Sequence, residues 1–349
     1  MSVSKFRNSN IELLRIYSMF FITFGHLWQY QFADASFIPL WLRGCIGIGK
    51  VDCFVFITGY FLVHKTAFSL DRYFKILFQI MFYNMVITTV FACVGIAPWR
   101  DVLISANPLL PSKFNAWFTT QMLGLVLIQP FLSRFIKLLS KRQYQVLLLS
   151  LYLLTTTLIP GFPLGELYSS PTRLSWFITL FFTGGYMRLY MPSYNGKVVL
   201  SMAIILSMIW SYCWLRIPEI KIGNDSLITF IVAILIMMVT LKISIGTVRW
   251  INFVAGSTYA VYLIHTNCYL REVLGEMMIY YQDMGYTFNF FVGIFTVFLM
   301  FVAFIAIDQI RILIFTWCRV SHFQRWLSDV IIRNLKRFLD KINADRCLS

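Results

Sequence analysis

The sequence predicts an all-α protein, a polytopic transmembrane helical bundle of about ten spans that ends in a basic amphipathic helix. Three observations carry this reading. Of 349 residues, 59% are hydrophobic and 18% aromatic, while only 13% are charged, far below the roughly 25% of a soluble domain. Apolar runs of bilayer length, about 20 residues, recur from one end of the chain to the other. Lys and Arg outnumber Asp and Glu 30 to 15, and the positive residues gather between the runs and in the tail.

Hydropathy places spans near 11–31, 45–64, 75–97, 116–136, 145–161, 174–191, 198–215, 227–243, 252–270 and 288–307. The connections carry the turn residues, as in "FIPLW", "GFPLGELYSSPTR", "MPSYNGK" and "RIPEIKIGNDS". Arg15 interrupts the first apolar run and no small-x-small pattern follows it, so the first helix is expected to be retained rather than cleaved. An even number of spans puts both termini on one side. If that side is the cytoplasm, its segments hold Lys5, Arg7, Lys65, Arg72, Lys75, Arg134, Lys137, Lys141, Arg142, Arg188, Lys197, Lys242 and Arg249. The far side holds only Arg43, Lys50, Arg100, Lys113, Arg173, Arg216, Lys221 and Arg271. The bias favours both termini inside.

Residues 1–309 therefore read as one transmembrane domain and 310–349 as a cytoplasmic tail. In the tail Ile310, Leu313, Trp317, Val320, Leu327, Ile331, Leu335, Phe338 and Ile342 recur near helical spacing among Arg and Lys. A helix lying on the anionic inner leaflet is expected; a docking site for a partner is the alternative. The net charge of +15 has no compact basic domain behind it, so nucleic acid is not expected as a partner. Seven cysteines lie scattered without a C-x-x-C pair. They read as small core residues, and no metal site is expected.

Polar residues inside apolar spans point to function, because lipid offers them no partner. The stretch "IELLRIYSMFFITFGHLWQY" carries Arg15 and His26. Eleven residues at about 100° each return His26 to within about 20° of the Arg15 face, about 16 Å further along. Arg15 alone could snorkel and His26 alone could be a core histidine, but together they outline a polar track across the membrane. Asp52 stands in the second span and His265 in the ninth, both at a depth similar to that of His26. Asp52 is expected to orient His26; pairing with Lys50 is the alternative. Glu166 and Trp176 could contact a sugar, against a solvated loop acid and an interfacial aromatic belt respectively. Trp117 also reads as a belt residue.

These stretches resemble the acyltransferase-3 family of integral membrane acyltransferases. Arg15 and His26 match its R-x10-H motif. "VDCFVFITGYFL" (51–62) is similar to its second-helix signature, G-V-D-x-F-F-V-x-S-G-F-L, with Lys50 and Thr58 replacing Gly and Ser. "DRYFK" (71–75) resembles the basic element that follows. "AWFTTQMLGLVLIQPFL" (116–132) and "GSTYAVYLIH" (256–265) resemble the later W-F and S-x-x-x-Y-L-x-H motifs. The matches run in family order over residues 11–270.

The resemblance implies transfer of an acyl group from cytoplasmic acyl-CoA, most often acetyl-CoA, to a hydroxyl of a bacterial surface glycan or its lipid-linked precursor at the inner membrane. Capsule, O-antigen and exopolysaccharide are the candidate pathways, and succinyl is an alternative acyl group. Acyl-CoA is a co-substrate, and no permanently bound cofactor is expected. In this reading His26 is the general base and Asp52 supports it. Arg15, Arg72 and Lys75 hold the donor, and His265 lines the acceptor side or binds the thioester oxygen, against a purely structural role. A transporter or flippase for a lipid-linked sugar or anion is the competing reading, since intramembrane Arg, His and Asp also mark transport paths. The ordered motifs and the lack of repeated halves argue against it.

Overall fold

The computed structural model describes residues 8–28, 37–107, 117–155, 174–217, 225–279 and 286–346. Among these residues the chain is helical, with no β-strand. In order the helices are α1 (Ser9–Trp28), α2 (Phe37–Gly47), α3 (Lys50–Leu62), α4 (Asp71–Cys93), α5 (Trp99–Ser105), α6 (Trp117–Leu138), α7 (Lys141–Thr155) and α8 (Leu174–Tyr190). They continue with α9 (Gly196–Arg216), α10 (Leu227–Lys242), α11 (Arg249–Gly256), α12 (Thr258–His265), α13 (Cys268–Ile279), α14 (Tyr286–Trp317) and α15 (Val320–Arg346).

A helix lies at each of the ten expected positions, but not all are uninterrupted spans. Four stretches among the described residues are long and apolar enough to cross a bilayer unaided: Pro39–Leu62, Asp71–Cys93, Gly196–Arg216 and Phe290–Trp317. The second expected span is two helices, α2 and α3, joined at Gly49, whose φ is 69°. The ninth is also broken. Its backbone turns at Ser257 and again after His265, and the expected end at 270 falls inside α13. Breaks inside a membrane bundle are tolerated where neighbours satisfy the freed polar groups. Here Gln309 of α14 donates to the Ser257 hydroxyl, and Thr266 donates to the Tyr262 carbonyl.

The last helix apolar and long enough to cross a bilayer, α14, runs through Trp317, so the chain bends at Cys318 and Arg319 rather than near 310. A buried polar staple spans the expected boundary. Asp308 accepts hydrogen bonds from Tyr83 of α4 at 2.7 Å and from Arg311 at 2.6 Å. This pairing keeps Arg311 inside the helix rather than in a surface tail. Beyond the bend, α15 packs on α4 through Phe323 against Phe78.

The core forms around α3, whose residues Val51–Ile57 are all buried, as expected of a helix apolar on every side. α1 flanks it on one side and α8 on another. The α3–α8 crossing is set by glycine. A Cβ on Gly59 would stand 2.2 Å from the Phe181 carbonyl oxygen, and one on Gly184 would stand 2.2 Å from that of Phe56. Only two glycines let the backbones approach so closely, a packing mode that membrane helices favour. The N-terminal end of α1 is tied to the bundle by Asn10, which donates to the Thr240 carbonyl, and by Ser9, which accepts from the Val248 amide.

Gly184→Ala should therefore lower thermal stability in detergent by about 1–3 kcal/mol or more, as overpacking does. Gly256→Ala, with open space around its Cβ position, should leave the melting temperature nearly unchanged.

Candidate active site

Two features of the α1 sequence shape one end of the site. Residues 15, 19, 22 and 26 fall on one helical face, so Arg15, Met19, Ile22 and His26 form a line along α1. Gly25, just before His26, leaves space for the amine of Lys50; a Cβ there would stand 2.4 Å from its Nζ. Lys50 donates to the Phe21 carbonyl oxygen at 2.8 Å, which fixes α3 against α1.

His265 arrives from the other end of the chain. It is the last residue of α12, where the backbone breaks, and is fully buried. Its Nε2 lies 3.0 Å from Nδ1 of His26. Its own Nδ1 lies 2.7 Å from the Val261 carbonyl oxygen, with the Thr23 hydroxyl at 3.5 Å. A carbonyl oxygen only accepts, so Nδ1 of His265 carries a proton. In the neutral ring Nε2 is then the acceptor, and Nδ1 of His26 donates to it. The second nitrogen of His26, Nε2, is left with a free lone pair. Among the described residues no carboxylate bonds to either ring to hold a further proton. Imidazole oriented by a fixed hydrogen-bond partner is the arrangement of a general base. Here the partner is a second imidazole instead of a carboxylate.

His26 borders a cavity of about 20 Å³ with Met19, Ile22, Val51, Trp117, Phe118 and Tyr262. That volume seats one water or one hydroxyl. The Tyr262 ring stands edge-on to His265, 5.6 Å between centroids at 89°, and packs on Phe118. A larger cavity, about 450 Å³, lies between α1, α2, α9 and α10; its lining among the described residues includes no histidine, carboxylate or cation.

The structure brings together His26 and His265 but not Asp52. That carboxylate is fully buried in the first turn of α3. It neighbours the Trp176 indole and Asp225 instead of either imidazole. Trp176 leans toward it without closing to a hydrogen bond, and neither carboxylate oxygen has a bonding partner among the described residues. The expected pairing of Asp52 with His26 is therefore replaced by His265, and the alternative with Lys50 by the Phe21 carbonyl. The reason is azimuth, since Asp52 lies two residues, about 200°, around α3 from Lys50. The site at the α3 N-terminus still suits a negative group through the helix dipole.

Trp176 is also corrected. It is fully buried against Phe230, so it neither belongs to an interfacial belt nor offers a face to a glycan. Trp117 is corrected in the opposite sense, from belt residue to cavity wall. Arg15 bonds to Glu12 at 2.7 Å, one turn earlier on α1. Arg72 donates at 3.0 Å to Gln129 of α6, which in turn bonds to the Leu62 and Lys65 carbonyls. Lys75 stands exposed one turn beyond Arg72. Glu166 lies outside the described residues.

Apolar spans with inward-facing histidines and cations define a polytopic helical membrane protein with a polar site inside its bundle. Residues 8–308 match the model of the acyltransferase-3 family, described as an acyltransferase domain. The chain belongs to that family and is a membrane acyltransferase. No curated protein and no solved structure matches it.

Asp52→Asn is isosteric and touches neither imidazole, so acyl transfer should stay within about tenfold of the parent. His265→Ala should lose more than about tenfold, part of the 10²–10⁴ that a positioned base supplies. Rates on purified protein with matched acyl-CoA binding check this, and the reverse order would restore Asp52 as the orienting group.

Proposed function

We propose that the protein moves an acyl group, acetyl in the first instance, from acyl-CoA to a hydroxyl of a surface glycan or its lipid-linked precursor. The observation that carries this reading is the His26–His265 pair, which leaves Nε2 of His26 with a lone pair on a residue that borders a hydroxyl-sized cavity. A sugar hydroxyl is a poor nucleophile near pH 7, and a positioned imidazole removes that obstacle. In the proposed step the hydroxyl oxygen bonds to the thioester carbonyl carbon as its proton passes to Nε2 of His26. The carbon–sulfur bond breaks, and the proton goes on to the departing sulfur. The products are the ester and free CoA thiol. His26 is the catalytic residue in this scheme, and His265 is a positioning residue that fixes its tautomer.

The donor is proposed to enter from the cytoplasmic side of a bacterial inner membrane, with both termini on that side. Arg15 stands about 16 Å from His26 on the same helical face, with Met19 and Ile22 between them. An extended pantetheine arm would follow that line, its phosphates toward Arg15, Arg72 and Lys75. Arg15 is prepared for such a role, because Glu12 already holds its guanidinium in place. Replacing Arg by Lys at 15 would remove the planar fork that suits phosphate.

His26→Ala should still fold and bind acyl-CoA while losing at least about two orders of magnitude in transfer. The assay is transfer of labelled acetyl from acetyl-CoA to saccharide by purified protein. The parent's pH–rate profile should rise through one group that acts only when deprotonated, and this limb should vanish in the variant. Near-normal transfer by folded, donor-binding His26→Ala would place the base elsewhere. Arg15→Ala should raise the KM for acyl-CoA more than that for the acceptor.

A further inference from the structure

The "RGCIGIGK" segment (43–50), where α2 meets α3, borders a third cavity. It has a volume of about 190 Å³ and is lined by Arg43, Gly47, Gly49, Lys50, Trp214 and Thr229, among others. The glycines keep its wall free of side chains, and the N-terminus of α3 at Lys50 is part of its lining, a place where an anion is favoured. Two cations reach it. Lys50 uses one of its three donors on the Phe21 carbonyl. Arg43 makes a single long contact, 3.4 Å, to the Gly25 carbonyl. The charged neighbour of Lys50 is Arg43, another cation. Among the described residues, the cations that act electrostatically on His26 are Lys50, Arg271 and Arg43. No carboxylate pairs with any of the three among the described residues.

Two like charges beside one partly enclosed cavity repel each other unless a ligand carries the opposite charge. We propose that the acyl acceptor is anionic, and that Arg43 and Lys50 hold its carboxylate or phosphate oxygens while a hydroxyl of the same molecule reaches His26. This rests on the acyl-transfer reading above. Charge-assisted hydrogen bonds from a guanidinium and an ammonium fix such a group strongly. The bound anion has a second effect. As the hydroxyl loses its proton, His26 becomes cationic in the field of Lys50 and Arg43, and the anion offsets that charge. The negative group of the substrate thus contributes to the rate as well as to binding. The anion has two chemical sources, an acidic sugar within the glycan or the pyrophosphate of a polyprenyl carrier.

The test uses the full-length protein in nanodiscs with saturating acetyl-CoA and two matched pairs of acceptors. The first pair is a glucuronate-containing tetrasaccharide and its carboxyl-reduced neutral form. The second is a disaccharide linked to polyprenyl pyrophosphate and the same disaccharide free. The parent should prefer the anionic member of one pair by at least tenfold in kcat/KM, and the preferred pair identifies the source. Arg43→Gln should bring that preference close to one with KM for acetyl-CoA unchanged, and Lys50→Met should lower the preference too, together with overall transfer, because Lys50 also pins α3 to α1. Lys50→Arg should keep the preference. Equal use of both members of both pairs by the parent would overturn the proposal. So would a raised KM for acetyl-CoA in Arg43→Gln, which would assign the cations to the donor. Absence of transfer to all four acceptors would instead overturn the acyl-transfer reading beneath it.

Discussion

The hydrogen bond between His26 and His265 is the constraint on which the site depends. It joins a residue near the start of the chain to one 239 positions later. Its direction is set by a third group, the Val261 carbonyl, one turn before His265 on the same short helix. A backbone carbonyl has no alternative to accepting, so the proton order runs one way through the whole relay. The familiar arrangement places a carboxylate behind the base. A neutral imidazole behind it provides the same orientation without a buried negative charge, which would be costly in a membrane interior.

Everything around the pair serves to hold the two rings at that distance. Lys50 pins the start of α3 to α1 through the Phe21 carbonyl, and Gly25 makes room for it. The Gly59 and Gly184 crossing sets how near α8 comes to α3, and thereby where α3 presents its first turn. The double break around α12 has its own purpose. A continuous helix through 252–270 would carry His265 onward in a regular spiral. The turn at Ser257, satisfied by Gln309 of α14, lets eight residues be placed independently and ends them on the imidazole. Broken helices at membrane depth are where polar sites are built.

Much of this was legible in the sequence, and the misses share one cause. Rise along a helix follows from residue count, so the similar depth of His26 and His265 could be worked out, and the structure brings the two rings together. Azimuth toward a neighbour does not follow from count. Asp52 stands in the first turn of α3, yet it faces Trp176 and Asp225. Trp176 sits near a helix end, as belt residues do, but α8 is apolar on every face and is enclosed by its neighbours. Trp117 has the reverse fate, although its place in the W-F motif was a signal. The breaks were signalled too, by "GIGK" at 47–50 and "GST" at 256–258. The "IELLR" spacing of Glu12 and Arg15 is that of an i,i+3 ion pair, and the structure forms it.

The most direct test of the account is nitrogen-15 NMR of the histidine-labelled protein at neutral pH. The chain holds only four histidines, so single substitutions assign each signal. The account predicts that His26 and His265 are both neutral and both protonated at Nδ1, with a coupling across the bond from His26 Nδ1 to His265 Nε2. A proton on Nε2 of His26, in either a neutral or a cationic ring, would leave no lone pair for a substrate hydroxyl and would contradict the central claim.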